Sequence, residues 1–519
     1  MERAQTHCET EFDATYDVVV VGYGFAGAVA AIDASDAGAK VLLLEKMEDP
    51  GGISICAGGG LRIAKSFEDA YAYLRATNAG TTPDDILEVM ARGMVTITGY
   101  FKGLARINGA EVAVRDRESN YPLPGYRTFQ FLEIDTVPGF DAARDYPHAR
   151  ALRNGPNVLK VLQDNVNSRP IDVSLATAAQ RLIINAQGDV AGLVAAGPEG
   201  RRRIKARRGV VLACGGFEAD HKMQQQYWQF KPVLSAVSRG NTGDGIRMAM
   251  EVGADLWHMW HFHGSYGFRH PDPTYPLGIR MKRLPDWTPG SKPPEVKMSW
   301  ILLSRQGRRF MNEYEPYMQD TGHRPLDVFD PVTQSYPYIP AYLLVDDEGR
   351  KMYPLGKMVF NDRAAKRYDW SDDNLKEVEL GILQRADSIP ELAQKMKVDE
   401  GALEASLDRW NEQCAVSHDP DYGRPPGTMM QVRRPPFFFG EIWPVVSNTQ
   451  GGPVHDTRQR VLNPFGEPIP RLYEAGELGS IWGHLYLSGG NLSECFITGR
   501  IAAAEAAALA PWDADPHAA

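Results

Sequence analysis

Tyr16-Asp-Val-Val-Val-Val-Gly22-Tyr-Gly24-Phe25-Ala26-Gly27 is a run of β-forming residues that closes on spaced glycines. Residues 16–22 suit a strand buried on both faces of a parallel sheet. Ala28 to Ala37 is alanine-rich and predicts a helix, and residues 40–45, ending in Glu45, predict the next strand. Together they form one βαβ unit. Gly22, Gly24 and Gly27 let the backbone turn tightly and approach a pyrophosphate, which then sits at the helix N-terminus. Glu45 stands where a carboxylate can bind ribose hydroxyls. The same glycine spacing also occurs at tight strand–helix turns of other α/β proteins. The strand before it, the helix after it and the acid at the right distance favour dinucleotide binding.

A second glycine-rich stretch lies more than 400 residues further on. It reads Leu472-Tyr-Glu-Ala-Gly476-Glu477, then Tyr486-Leu-Ser488-Gly489-Gly490-Asn491, then Gly499-Arg500. The two stretches make sense if they meet. One cradles the adenosine and pyrophosphate; the other caps the reactive end of the same cofactor, which reads as FAD.

At 519 residues the chain can hold two or three domains with large cores. Its 43% hydrophobic and 24% charged content are ordinary for a globular protein. A net charge of −10 argues against nucleic acid and anionic membrane surfaces as partners. No apolar run is long enough to span a bilayer. Met1 to Ala14 is polar and acidic, which points to a cytoplasmic protein. The five scattered cysteines read as reduced thiols, with no disulfide or metal framework.

The expected architecture is α/β: a Rossmann-like FAD-binding domain with an inserted smaller α+β catalytic domain. Residues 1–255 form the first part of the FAD-binding domain, 256–435 the substrate domain, and 436–519 the C-terminal return. Residues 66–112 look helical. Around 157–213 the pattern turns to β and predicts a small meander followed by a strand returning to the main sheet, and its basic segment Arg201–Arg208 reads as a solvated strand face. The middle stretch is rich in Trp, Tyr, Pro and Met, which favours a bulky apolar ligand. Ile501 to Ala510 reads as a closing helix.

These blocks, in this order, resemble the flavoprotein family of fumarate reductases, aspartate oxidase and 3-ketosteroid dehydrogenases. The likeness extends through Gly215-Gly216-Phe217, Gly243-Asp244-Gly245, the Gly307 to Glu313 block and Gly451-Gly452. It implies that FAD is held by Gly22, Gly24, Phe25, Ala26, Gly27, Glu45, Lys46, Gly51, Gly52 and Ser54. It adds Ala57, Gly58, Gly59, Gly60, Cys214, Gly215, Gly216 and Asp244, then Gly476, Glu477, Asn491 and Leu492. Members of the family oxidise or reduce a carbon–carbon bond beside a carbonyl, with flavin N5 exchanging the hydride.

Three replacements narrow the branch. Tyr317 stands where fumarate reductases carry the proton-donating arginine, Asn448 where they carry a clamping histidine, and Leu487 where they carry a second arginine. A buried dicarboxylate needs such cations, so fumarate and succinate are disfavoured. Tyrosine in place of that arginine resembles the 3-ketosteroid dehydrogenases. The Tyr486-x-Ser488 spacing is similar to their Δ4-(5α) branch, whereas the Δ1 branch has proline after its tyrosine. The expected reaction is therefore desaturation beside a ring ketone, at the 4,5 rather than the 1,2 position, with an external electron acceptor. In that scheme Tyr486 and a backbone N–H of Gly489 or Gly490 polarise the carbonyl, and Tyr317 or Ser488 accepts the proton.

Other readings stay open. The chain could be an ene-reductase that saturates an unsaturated acid or enone, or an electron-transferring flavoprotein subunit. Tyr317 could be a core aromatic, and Ser488 could cap the helix near Asn491. His258, His261 and His263 form an HxxHxH cluster that reads as a pocket wall with Trp257 and Trp260 in preference to a metal site.

Overall fold

The structure, a computed structural model, describes residues 11–292 and 295–514. β1 (Ala14–Val21) is followed by α1 (Phe25–Asp36) and β2 (Val41–Leu44). The helix starts three residues earlier than Ala28, because Gly24 already serves as its N-cap. Val18, Val19 and Val20 are fully buried, and each contributes about 2 kcal/mol of apolar burial. That is what a strand covered on both faces requires.

β1 is the centre of a parallel sheet. It pairs with β2 on one side, Val18 opposite Val41, and with the strand Gly200–Leu212 on the other, Val19 opposite Val210. Beyond those lie Ile171–Ser174 and Pro468–Glu474, also parallel. The meander Ala178–Ile184, Val190–Gly197 and Gly200–Leu212 extends from one of these strands and feeds into the main sheet, but the expected β stretch begins too early: Gly155–Asn167 is a helix that buries Val158, Leu159, Val161, Leu162 and Val166 on one face. The closing helix runs from Gly490 to Ala508, eleven residues earlier at its start than Ile501. It packs along α1, close enough that a Cβ on Gly499 would lie 2.7 Å from the Ala26 carbonyl oxygen. Small residues on both helices make that approach possible.

The second sheet is largely antiparallel. Its strands run in the order 301–303, 341–346, 437–449, 262–269, 278–281 and 356–357. The expected start of the C-terminal return at 436 falls just before its longest strand, Phe437–Thr449, which pairs on both edges within this sheet. The chain leaves the second sheet only after Thr449. A three-stranded sheet of Leu61–Ala64, Phe129–Thr136 and Glu111–Asp116 closes a third side. Among the described residues, no helix is long and apolar enough to cross a membrane.

Candidate active site

Two cavities adjoin where the sheets meet. The smaller, of about 70 Å³, lies over the ends of β1 and β2 and is lined by Gly22, Gly24, Phe25, Ala26, Glu45, Lys46, Gly52 and Ser54. Cys214, Gly215, Asp244 and Glu477 complete its wall. Four other expected residues shape it from behind. A Cβ on Gly27 would lie 1.8 Å from the Gly22 carbonyl oxygen, and one on Gly216 1.6 Å from Thr449 Oγ1. Gly51 abuts Ile55 and Leu159, and Gly476 abuts Ala26. Gly22 itself has φ +103°, which glycine adopts freely.

Polar groups in this cradle are pre-positioned. Glu45 accepts from the Tyr23 N–H (2.9 Å) and the Met47 N–H (2.8 Å). Burial raises its pKa, and those N–H donors oppose the rise. Lys46 Nζ donates to Thr242 Oγ1 and Asp244 Oδ2, both at 2.6 Å, so two separately expected residues form one bridge across the cradle. Glu477 Oε1 accepts from the Thr449 N–H (2.9 Å) and Oε2 from Asn241 Nδ2 (3.3 Å). Burial, then the neighbouring Glu218 carboxylate, holds Glu477 well above the usual carboxylate range. A protonated Glu477 can donate as well as accept, which suits a chain of hydroxyls.

The larger cavity, of about 700 Å³, begins at Ser54, Ala57, Gly58, Gly59 and Gly60 and continues past Glu477, Asn491 and Leu492. Asn491 is the telling residue. Among the described residues neither its Oδ1 nor its Nδ2 has a hydrogen-bond partner, although both are buried. Other buried amides here have one unpartnered atom each, whereas Asn491 has two, which fits a polar ligand at this position. It sits in the first turn of the Gly490–Ala508 helix, whose free N–H groups and dipole favour an electron-rich edge. An orphaned amide, a helix N-terminus and a glycine cradle fit the two ends of FAD.

Tyr317, Tyr486, Ser488 and Gly489 line the same cavity. The rings of Tyr317 and Tyr486 are stacked, with centroids 5.9 Å apart and planes at 26°. The Gly489 N–H donates to the Tyr486 hydroxyl oxygen at 3.3 Å. Gly490 is placed differently: its N–H donates to Leu487 O (2.7 Å), so the turn consumes the donor that the sequence offered. Gly489, at φ +80°, is the helix N-cap, and Ser488 makes no side-chain cap bond. Leu487 is fully buried.

Arg62 was not singled out in the sequence. Arg62 is fully buried beside the tyrosines; its Nε donates to Ser488 O (2.8 Å) and its Nη1 to Arg117 O (2.5 Å). Burial lowers it to about 10, still cationic near neutrality. The signal was its place just after Gly58-Gly59-Gly60. His263 packs behind Tyr486, ring centroids 4.4 Å apart, and accepts from Gln450 Nε2 at 2.9 Å. Burial pushes its pKa well below 6.5, so it is a neutral support. Trp257 and Trp260 stand outside both cavities. Trp257 stacks on His258 and donates to Gly479 O, while Trp260 is half exposed. Arg280, Arg283 and Lys357 reach the cavity instead. Among the described residues no group of three or more His, Cys, Asp or Glu is arranged to hold a metal ion, and Cys56, Cys214, Cys414 and Cys495 are free thiols.

Comparison with known proteins agrees with this geometry. Residues 17–492 match the family described as FAD binding domain. The chain is 27% identical over 498 residues to a fumarate reductase (cytochrome) of Shewanella frigidimarina, across 95% of this chain and 77% of that protein. It is 26% identical over 588 residues to a 3-oxosteroid 1-dehydrogenase of Mycolicibacterium smegmatis, across 95% of this chain and 98% of that one. Its fold is similar to that of a 3-ketosteroid delta1-dehydrogenase from Sterolibacterium denitrificans, solved with 1,4-androstadiene-3,17-dione. That match has a TM-score of 0.76 at 23% identity, over 95% of this chain and 99% of the other.

Proposed function

The chain belongs to the FAD binding domain family and is an FAD-dependent oxidoreductase, and on that premise we propose that it introduces a carbon–carbon double bond next to a ring ketone. The observation that carries this reading is the stacked Tyr317–Tyr486 pair with the Gly489 N–H. All three face the cavity that starts at the FAD-holding residues.

The Gly489 N–H donates to the Tyr486 hydroxyl oxygen, which leaves the Tyr486 O–H to polarise a ketone oxygen in the cavity. Polarisation acidifies the adjacent carbon. Tyr317 accepts its proton, with Ser488 beside it. The buried Arg62 guanidinium favours negative charge on either tyrosine. Bound FAD supplies the acceptor for the hydride that leaves the neighbouring carbon. The substrate thus loses one proton and one hydride and gains a conjugated double bond. A 3-ketosteroid-like ketone is the favoured substrate, and 4,5-desaturation is favoured over 1,2. That preference is supported by Ser488 facing the cavity with Tyr486, and by Leu487 where the Δ1 branch has proline.

Anaerobic bleaching of the flavin absorbance tests the reading. A saturated 3-ketosteroid should bleach it and yield a 4-ene. Bleaching by a 4-ene substrate with a 1,4-diene product would move the enzyme to the 1,2 position. A second reading, saturation of an unsaturated acid, is favoured by the arginines and lysine in the same cavity. Reoxidation of dithionite-reduced protein by an unsaturated acid, with no bleaching by any steroid, would establish it over the first.

A further inference from the structure

Resting on the ring-ketone reading, which makes Tyr486 catalytic, we propose that Glu494 is a positioning residue: its carboxyl group anchors two of the rings packed against Tyr486, and its protonation state sets how firmly they are held. Glu494 lies in the Gly490–Ala508 helix and is buried. One ring is Trp482, edge-on to Tyr486 at 6.2 Å with planes at 78°; the other is His263, at 4.4 Å. Trp482 is tied directly, its Nε1 donating to Glu494 Oε2 at 2.9 Å. His263 is tied through a line of fully buried polar groups. Its Nδ1 accepts from Gln450 Nε2 at 2.9 Å, and Gln450 Oε1 accepts from Ser480 Oγ at 2.8 Å. Ser480 Oγ also lies 2.9 Å from Glu494 Oε2.

The middle of this line has two settings. Ser480 has one O–H and two acceptors within reach. It serves Gln450 while Glu494 is protonated and donates to the Ser480 oxygen. Once Glu494 ionises, a charge-assisted bond captures the Ser480 hydroxyl, and Gln450 Oε1 becomes a buried acceptor with its donor withdrawn, an unfavourable state. The hold on His263, and through it on Tyr486, then loosens. Because its Nδ1 accepts from Gln450, His263 carries its proton on Nε2 and donates to His261 Nε2 at 3.2 Å, so both ring nitrogens are engaged. The groups that bond Glu494, a hydroxyl, an indole N–H and the Ile481 N–H, are neutral, and burial raises its pKa to about 7. The titratable groups around it are Glu474 with His455 at 3.4 Å, Cys495 on the same helix, and His258, whose Nδ1 lies 2.9 Å from Ser480 O. At the far end Arg324, His323 and His484 face His261. Burial, then the Glu494 charge, holds Glu474 well above the usual carboxylate range. Burial also lowers His455 to about 4, pushes the Cys495 thiol up and keeps His261 and His263 well below 6.5.

The test uses the FAD holoenzyme labelled with fluorotyrosine, the Tyr486 signal in its fluorine NMR spectrum being identified from Tyr486→Phe. In the wild type that signal should titrate with a midpoint of about 7. Glu494→Gln, locked neutral, should shrink the movement about fivefold or more, and Ser480→Ala about twofold. A signal that stays still in the wild type, or moves as far in either variant, would overturn the proposal; undiminished movement in Glu494→Gln assigns the titration to a neighbour such as His258. In turnover below neutral pH, Glu494→Leu should lower kcat about tenfold at nearly constant KM, and Glu494→Gln should recover most of it. Wild-type kcat in Glu494→Leu would equally overturn the positioning role. Failure of the ketone reading looks different: no 3-ketosteroid bleaches the flavin, yet the Tyr486 signal still follows Glu494.

Discussion

The cofactor cradle is built from backbone, while the cavity beside it is built from side chains. In the cradle, recognition rests on how closely peptide groups approach, as at Gly27 over Gly22 and Gly216 against Thr449. In the cavity, on the proposed reading, it rests on Arg62, Tyr317 and Tyr486, which arrive from the three-stranded sheet and from two loops far apart in the chain. Backbone recognition leaves an ordered glycine signature in a sequence. Side-chain recognition leaves scattered residues whose meeting only the fold reveals.

The sharpest way to break this contrast is to put a side chain into the cradle. Gly27→Val places Cβ against the Gly22 carbonyl, and FAD retention should fall by about a hundredfold or more. The absorbance ratio at 450 and 280 nm of the purified protein measures it; a normal ratio would refute the close-approach argument. In the cavity the corresponding change should spare FAD and strike turnover. Tyr486→Phe should cut kcat by on the order of 10²-fold with unchanged FAD content. Equal loss of both would make Tyr486 structural.

Acidity offers a third, smaller separation. Glu494 lies behind both regions, accepting from the Ile481 N–H and Trp482 Nε1, and burial raises its pKa from 4.5 to about 7. The folded protein therefore holds a proton that the unfolded chain releases at lower pH. This group's contribution is full below about pH 4.5, declines as pH rises to about 7, and is then exhausted. The loss is on the order of 3 kcal/mol. Tm measured from pH 5 to 8 should fall with rising pH, and Glu494→Gln should flatten the slope. An identical slope in the variant would assign it to other acids, such as Glu474. The smallest effect is expected at Trp260. It is half exposed and outside the cavity, so Trp260→Ala should change kcat/KM by less than about twofold. A large loss would restore the aromatic wall that composition suggested.

These cases show how far the sequence could be read. β1, α1, β2 and the return at Gly476–Glu477 were legible because period-2 and period-3.6 patterns stand beside glycines that need special backbone. Tyr317 and Tyr486 were legible only through the family resemblance, since nothing in their spacing brings them to 5.9 Å. The Trp-rich stretch misled because large aromatics fill cores as readily as they line pockets. Trp300 and Trp410 are fully buried core residues. Arg280 and Lys357 were silent because cross-strand partnership depends on register, and their strands lie more than 70 residues apart.

The strand order carries one further consequence, for synthesis. β1 is made first, but its sheet is completed by Gly200–Leu212 and then Pro468–Glu474. Gly476, Glu477 and Asn491 follow those last strands. A growing chain therefore presents the glycine-rich loop after β1 long before the rest of the cradle exists. FAD can be captured only after nearly all of the described residues have left the ribosome. Until then, chaperones meet a nascent α/β layer whose second half is missing, and flavin supply should govern yield at the last step of folding.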